Sequence, residues 1–139
     1  MTYTVEQRQI EEDVFEALEA LTRKDVSMWP ALFHEDGVQE FPFAPQGSPQ
    51  RIEGKAVIAD YLADYPKKLD LHRIGRPVWH HDGDTAIAEF AVEGTAVPTG
   101  RPYDQRYIGV IEHRAGKIVR YVDYWNPQIV AEALGGMFK

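Results

Sequence analysis

The sequence predicts an α+β fold in which a curved antiparallel sheet wraps around three N-terminal helices to form a cone. Helical periodicity precedes residue 66, four strand-like segments follow between residues 69 and 125, and short turn signals separate those strands. The length suits a single domain spanning residues 1–139. Because helices only partly fill the interior of a cone, the fold predicts a ligand pocket.

The first two helices are predicted from capping and apolar spacing. Thr4 and Gln7 resemble a capping box, and apolar residues recur at helical intervals after them, so the first helix spans about 5–23. A second, short helix begins at Asp25 or Ser27, and the segment "HEDG" ends it.

A strand, a loop and a third helix follow. The segment "VQEFPF" is predicted to be an edge strand because Pro42 cannot donate a hydrogen bond to a neighbouring strand. The segment "APQGSPQ" is rich in residues that interrupt regular structure, which predicts a loop. The third helix spans 54–65, where Pro66 stops it.

The remaining elements are four strands and one closing helix. The strands are "LDLHRIGRPVWH", "TAIAEFAVEGTAV", "YDQRYIGVIEH" and "KIVRYVDYW", joined by the turns "HDGD", "PTGRP" and "RAG". Closely spaced hairpins of this kind favour antiparallel pairing. The closing helix begins at Pro127 and stops at Gly135 and Gly136.

Composition excludes several classes of protein. The net charge of −7 and the lack of a basic cluster argue against a nucleic-acid partner. No apolar run reaches the roughly 20 residues of a membrane span. The acidic N-terminus and the lack of cysteine predict a cytoplasmic protein. The five histidines lack the spacing of a metal site, and no phosphate-binding loop is present, so no metal or cofactor is expected.

Asp123 is the candidate catalytic residue, because it lies in the aromatic segment "KIVRYVDYWNP". Side chains alternate along a strand. If Asp123 faces the pocket, the residues that share its face are Val119, Tyr121 and Trp125. The residues that then face outward are Arg120, Val122 and Tyr124.

The predicted hairpin register brings Tyr107 and Gln105 beside Asp123. Burial would raise the pKa of this carboxyl and hydrogen bonds from tyrosines would lower it, which suits proton transfer near neutral pH. A second interpretation is that Asp123 is a satisfied polar residue of the core, bonded to Tyr107 or Tyr121. Tyr61, one turn before another tyrosine on the third helix, either lines the same pocket or belongs to the core.

Several segments together resemble the SnoaL-like branch of the NTF2-like superfamily, which includes polyketide cyclases, ketosteroid isomerases and limonene epoxide hydrolases. They are "ALFHEDGVQEF", the helix at 54–65, "PTGRPY" and "GVIEHRAGKIVRYVDYWNP". The resemblance implies the cone fold, also called a cystatin-like α+β barrel. It also implies a pocket that binds a hydrophobic small molecule and a homodimer formed through the outer face of the sheet.

The resemblance transfers to individual residues only in part. The final-strand aspartate of limonene epoxide hydrolases falls on Asp123, but their arginine and second aspartate fall on Phe90 and Val92, so epoxide hydrolysis is not expected. The basic aspartate of ketosteroid isomerases falls on or beside Phe41. PhzA/PhzB-type proteins are also similar, and their strand acid matches Asp123.

These observations give three hypotheses for function. The first is a cofactor-independent isomerase, cyclase or dehydratase of secondary metabolism, acting on a hydrophobic cyclic substrate. In it, Asp123 moves a proton and Tyr107 and Tyr121 stabilise an oxyanion. The expected substrate-binding residues are Trp125, Phe90, Tyr61, Tyr65, Gln105 and Phe41. The second hypothesis is a non-catalytic ligand-binding or accessory protein, and the third is a dimerising interaction module.

Overall fold

Residues 2–135 of the computed structural model are described here, and they form five helices and seven strands. The helices are α1 (Val5–Thr22), α2 (Met28–Ala31), α3 (Lys55–Ala63), α4 (Tyr65–Lys68) and α5 (Pro127–Leu134). The strands are β1 (Phe33–Glu40), β2 (Arg51–Glu53), β3 (Leu69–Ile74), β4 (Val78–Asp82), β5 (Thr85–Ala96), β6 (Gln105–Arg114) and β7 (Lys117–Trp125).

Helix α1 begins at the predicted capping box. The Gln7 backbone N–H donates to Thr4 Oγ1 over 3.0 Å, and the Thr4 backbone N–H donates to Gln7 Oε1 over 2.8 Å. The apolar face of the helix buries Ile10, Val14 and Leu18 in the core. The predicted first helix is confirmed to within one residue at its C-terminal end.

All seven strands belong to one sheet, in the order β2-β1-β7-β6-β5-β3, with β4 also paired to β5. The α+β class and the curved sheet are confirmed, but the sheet is mixed, because β1 and β7 run parallel. The prediction of an entirely antiparallel sheet was therefore wrong at this pair. The two strands are far apart in the chain, so no tight hairpin constrains them to run in opposite directions.

The prediction for the segment around "HEDG" was wrong in two respects. These residues lie inside β1 and do not end helix α2. Strand β1 is also not an edge strand, because β2 covers one side of it and β7 the other. Pro42 comes two residues after the strand ends, so its missing N–H interrupts no pairing. The three-residue strand β2 was not predicted, and it lies between the predicted loop and the predicted third helix.

Two predicted elements are each divided in the structure. The segment "LDLHRIGRPVWH" forms β3 and β4, which pair with the C-terminal and N-terminal halves of β5. The predicted third helix ends at Ala63, and Pro66 lies in the first turn of α4, where proline is tolerated.

Helix α5 begins after Asn126, whose side chain accepts a hydrogen bond from the Gln128 N–H over 2.9 Å. Its buried residues Val130 and Leu134 pack on the core. The predicted stop at Gly135 agrees with the structure, and Gly136 lies outside the described residues. Within residues 2–135, none of the helices has the length and apolar character that crossing a bilayer requires.

Candidate functional site

A cavity of about 140 Å³ lies between the helices and the concave face of the sheet. Its wall is predominantly apolar and aromatic. Among the described residues, Asp123 is the one carboxylate in that wall. The cavity therefore combines a mostly apolar interior with a single carboxyl group, as ligand pockets commonly combine apolar walls with a few polar groups.

Strand β7 supplies three side chains to the cavity: Tyr121, Asp123 and Trp125. This is the predicted inward set, apart from Val119. The pairing of β6 with β7 shifts at Val119, so the alternation of inward and outward side chains is interrupted there. Ile118 is the residue that is buried at this point. Val122 is only 4% exposed, so the expectation that it is exposed was wrong. Val122 lies on β7, which is between β1 and β6, so side chains of both neighbouring strands flank it.

The surroundings of Asp123 change its acidity. Burial raises the pKa of this carboxyl to about 7, and hydrogen bonding from the Gln39 side chain opposes that rise. The side chain is half-buried and lines the cavity. A carboxyl group with this pKa is divided between its acid and base forms near neutral pH.

Gln39 and Trp29 form a polar contact that the sequence analysis did not assign to the site. Trp29 Nε1 donates to Gln39 Oε1 over 3.1 Å, and each residue is 4% exposed. Gln39 lies on β1 beside Tyr121, two residues from Asp123 along the parallel strand β7. A buried glutamine inside the strand "VQEF" was the available signal, because a buried amide requires partners.

Phenol groups form a second polar cluster in the cavity wall. Tyr103 Oη and Tyr107 Oη lie 2.6 Å apart, and hydrogen bonding links Tyr107 to Tyr65 as well. Burial raises the pKa of Tyr103 to about 12 and raises those of Tyr65 and Tyr107 well above the usual value. These phenols are therefore neutral hydrogen-bond donors at physiological pH. Tyr103 was not predicted.

Tyr121 is buried beneath Asp123. Burial raises the pKa of its hydroxyl well above the usual value, and the negative charge of Asp123 adds to that effect. Its ring meets Trp29 edge to face, with centroids 5.0 Å apart. The hydroxyl lies against the backbone of Gly109, the residue that pairs with Asp123 across the strands.

Aromatic rings complete the wall, and most are the residues predicted from the sequence. Phe41 stacks on Tyr61 with centroids 4.9 Å apart and tilts against Trp125 at 5.7 Å. Phe90 stacks on Tyr107 at 5.3 Å. The structure thus brings these five aromatic residues to the cavity that contains Asp123.

Comparison with known protein families identifies the chain. The SnoaL-like domain profile matches residues 14–121, which is more than half of the sequence. The chain belongs to the SnoaL-like domain family. The resemblance noted from the sequence segments is therefore confirmed.

Individual relatives of this SnoaL-like protein span most of its length. The "Uncharacterized protein YesE" of Bacillus subtilis is 52% identical over 120 residues, covering 85% of this chain and 82% of that protein. A Bacillus subtilis crystal structure described as a "putative isomerase" is 47% identical, covers 97% and 99% of the two chains, and has a TM-score of 0.92. The "Uncharacterized PhzA/B-like protein PA3332" of Pseudomonas aeruginosa is 38% identical over 122 residues, covering 87% and 86%.

The SnoaL-like cavity contains two apolar residues where limonene epoxide hydrolases have charged ones. By the resemblance noted from the sequence, the arginine and second aspartate of that family fall on Phe90 and Val92, and both of these residues lie in the cavity wall. Both are buried hydrophobic residues. Asp123 therefore lacks the charged partners on β5 that epoxide hydrolysis by that mechanism requires.

The Gln105 side chain is not among the residues that line the cavity, and it forms hydrogen bonds with the backbone of Asn126. Its Nε2 donates to the Asn126 carbonyl over 2.9 Å, and its Oε1 accepts from the Asn126 N–H over 3.0 Å. Gln105 is four residues from Gly109, the partner of Asp123, which is roughly 13 Å along a strand. The side chain instead anchors the segment that begins α5.

The histidines do not converge with other ligand-type residues. Across the part of the chain that the structure describes, no three His, Asp or Glu side chains are grouped to hold a metal ion. His80 pairs with Glu89 at 2.7 Å, and His81 pairs with Glu11 at 2.6 Å. None of these four residues lines the cavity.

Proposed function

We propose that this SnoaL-like protein is a cofactor-independent enzyme that moves protons on a hydrophobic cyclic small molecule. The observation that supports this most strongly is one carboxyl group, Asp123, with a pKa of about 7 in an apolar cavity. A catalytic acid or base works best when its pKa lies near the working pH. Isomerisation, cyclisation and dehydration are the reaction types that this arrangement suits, and they fit a role in secondary metabolism.

The proposed chemistry begins with Asp123 as a carboxylate. It removes a proton from a carbon beside a carbonyl group; the electron pair of the C–H bond forms a C=C bond, and the π pair of the carbonyl moves to its oxygen as an enolate forms. Tyr107 and Tyr121 donate hydrogen bonds to that oxygen. Protonated Asp123 then returns the proton to another carbon, which is isomerisation, or to a departing hydroxyl group, which is dehydration.

The cavity and the relatives support a small cyclic substrate. An engineered protein cavity of about 150 Å³ binds benzene, so about 140 Å³ accommodates a single six-membered ring. Phe41, Phe90 and Trp125 would hold the faces and edge of such a ring. One similar crystal structure is described as a "putative isomerase", which is the same general class of chemistry.

The alternative is a non-catalytic protein that binds a small ligand in the same cavity. Two observations favour it. Phe90 and Val92 leave Asp123 without a charged partner on β5, and the hydroxyls of Tyr103 and Tyr107 already bond to each other.

Proton exchange into a simple cyclic ketone separates the two functions. Cyclohexanone in D2O is the probe, and NMR follows deuterium entry beside its carbonyl group. Under the enzymatic proposal, the intact protein accelerates exchange, Asp123→Asn abolishes the acceleration, and Tyr107→Phe slows it at least about tenfold. The control is Asp104→Asn, which removes an exposed carboxylate that does not line the cavity.

Ligand binding is measured alongside exchange, through the fluorescence of the cavity tryptophans Trp29 and Trp125. Loss of exchange with retained binding in Asp123→Asn supports catalysis. Equal exchange rates for the intact protein and Asp123→Asn, with binding retained in both, would leave the binding function as the conclusion.

We also propose that the chain forms a homodimer through the outer face of its sheet, and that it acts in the cytoplasm. A row of residues crosses β4, β5, β6 and β7 on that face: Val78, Glu89, Ile108 and Tyr124. Val78 is 60% exposed and Ile108 is 43% exposed, and Phe43 packs on Tyr124 at 5.7 Å. A row in which three of the four side chains are apolar or aromatic suits a self-complementary interface.

A further inference from the structure

Trp29 of α2, Gln39 of β1 and the acid Asp123 all lie in the wall of the cavity. Trp29 Nε1 donates to Gln39 Oε1, and hydrogen bonding from the Gln39 side chain acts on Asp123. An indole has one N–H and no acceptor, so the atom of Gln39 that it meets must be the carbonyl oxygen. The NH2 group is then the part of the amide available to Asp123.

We propose that Trp29 is a positioning residue whose indole N–H fixes the Gln39 amide so that its NH2 group, and not its oxygen, faces Asp123. The inference rests on the proposed function for its catalytic meaning. Without the indole N–H, the amide can turn about its last side-chain bond. Its oxygen would then face Asp123, where it repels a carboxylate but accepts a hydrogen bond from a protonated carboxyl.

The direction of the indole N–H is set by contacts that do not involve Gln39. The Trp29 ring meets Tyr121 edge to face at 5.0 Å and Phe33 at 6.0 Å. Because α2 and the sheet hold the ring on these sides, rotation of the indole would disrupt core packing. Trp29 can therefore impose one orientation on the amide.

The other titratable groups around Asp123 do not compete for this role. Five tyrosines and one lysine line the cavity with it: Tyr61, Tyr65, Tyr103, Tyr107, Tyr121 and Lys68. Each tyrosine has a raised pKa and is neutral where Asp123 titrates. Lys68 is an exposed residue at the end of α4.

The test follows the titration of Asp123 directly, without substrate. Protein labelled with carbon-13 at aspartate side-chain carboxyls is titrated by NMR, and Asp123→Asn assigns the signal. In Trp29→Phe, which retains an aromatic ring, the midpoint of the Asp123 titration is expected to rise by about one pH unit. An unchanged midpoint would overturn the proposal. Phe33→Leu is the control, since it removes one of the two ring contacts of Trp29 but retains the indole N–H and the contact with Tyr121.

Further variants separate positioning from a general loss of structure. Gln39→Leu removes the amide and should raise the midpoint by a similar amount, and adding Trp29→Phe to it should raise the midpoint no further. If Trp29→Phe does not fold, the side-chain NH2 signals of Gln39 in the intact protein carry the test. They should shift as Asp123 titrates, and signals that do not respond would contradict the inference. Because no measurement requires turnover, its outcome is independent of the proposed activity.

Discussion

The Tyr121 hydroxyl occupies the space that a side chain at Gly109 would require. A Cβ atom built at Gly109 would lie 2.6 Å from Tyr121 Cζ and closer still to the hydroxyl oxygen. Gly109 pairs with Asp123 across the two strands, so the glycine allows a phenol to lie beside the acid. This explains why a glycine interrupts the middle of a strand, where it is otherwise unfavourable.

Gly109→Ala should therefore displace Tyr121 and destabilise the protein by about 1–3 kcal/mol, as overpacking of a buried site does. The free energy of unfolding in urea measures the effect. Gly75→Ala is the matched control, because a Cβ there would meet its nearest neighbour at an ordinary 3.7 Å. Equal stability of the two variants would contradict this account.

Gln105 is predicted to stabilise the fold and to have little effect on ligand binding. Gln105→Ala leaves the Asn126 N–H and carbonyl groups without the partners they have in the structure. A loss of about 1–3 kcal/mol in unfolding free energy is expected, with ligand affinity changed less than twofold. Gln128→Ala, an exposed change in the next turn, is the control. A tenfold loss of ligand affinity with unchanged stability would instead show that Gln105 takes part in ligand binding.

A dimer formed through the outer face of the sheet should be sensitive to a charged substitution at Ile108. Ile108→Lys places a charge at the middle of the exposed row formed with Val78 and Tyr124, so a dimer should become a monomer. Light scattering after size-exclusion chromatography measures the mass of both forms. Val57→Lys, at an apolar residue of α3 that is 46% exposed, should leave the mass unchanged. An intact protein that is monomeric throughout would contradict the interface.

Features set by neighbouring residues were predictable from the sequence. The capping box at Thr4 and the alternation that points Tyr121 and Asp123 inward depend on local spacing alone. The hairpins of β5, β6 and β7 are likewise local. Phe41 and Phe90 were assigned to the pocket through the family resemblance and the predicted strands, and both line it.

Features that depend on distant pairing were not predictable. The parallel contact of β1 and β7 brings Gln39 beside Tyr121, and no local pattern indicates which strands meet in this way. The polar partner of Asp123 was missed for this reason. The predicted β6–β7 register was also wrong, because the alternation gives the face of a strand correctly but Gly109, and not Tyr107 or Gln105, pairs with Asp123.

The raised pKa of Asp123 predicts that the acid destabilises the folded protein at neutral and higher pH. Its pKa rises from 3.8 when exposed to about 7 when folded, so between these values the folded state binds more protons than the unfolded state. Unfolding stability from this group therefore falls as pH rises from about 4 to 7 and is constant above that range. The linkage relation gives an upper limit of about 4 kcal/mol for this cost.

Asp123→Asn removes the titration while retaining a polar side chain of similar size. The variant should be more stable than the intact protein at pH 8, by up to about 4 kcal/mol, and the difference should shrink as pH falls through 7 towards 4. Urea unfolding of both proteins across this pH range measures the difference, which cancels the titration of the other carboxyl groups. The exposed change Asp104→Asn should show no such trend. A stability difference that is independent of pH would mean that Asp123 titrates in the folded protein as it does in the unfolded chain, and proton transfer at neutral pH would lose its basis.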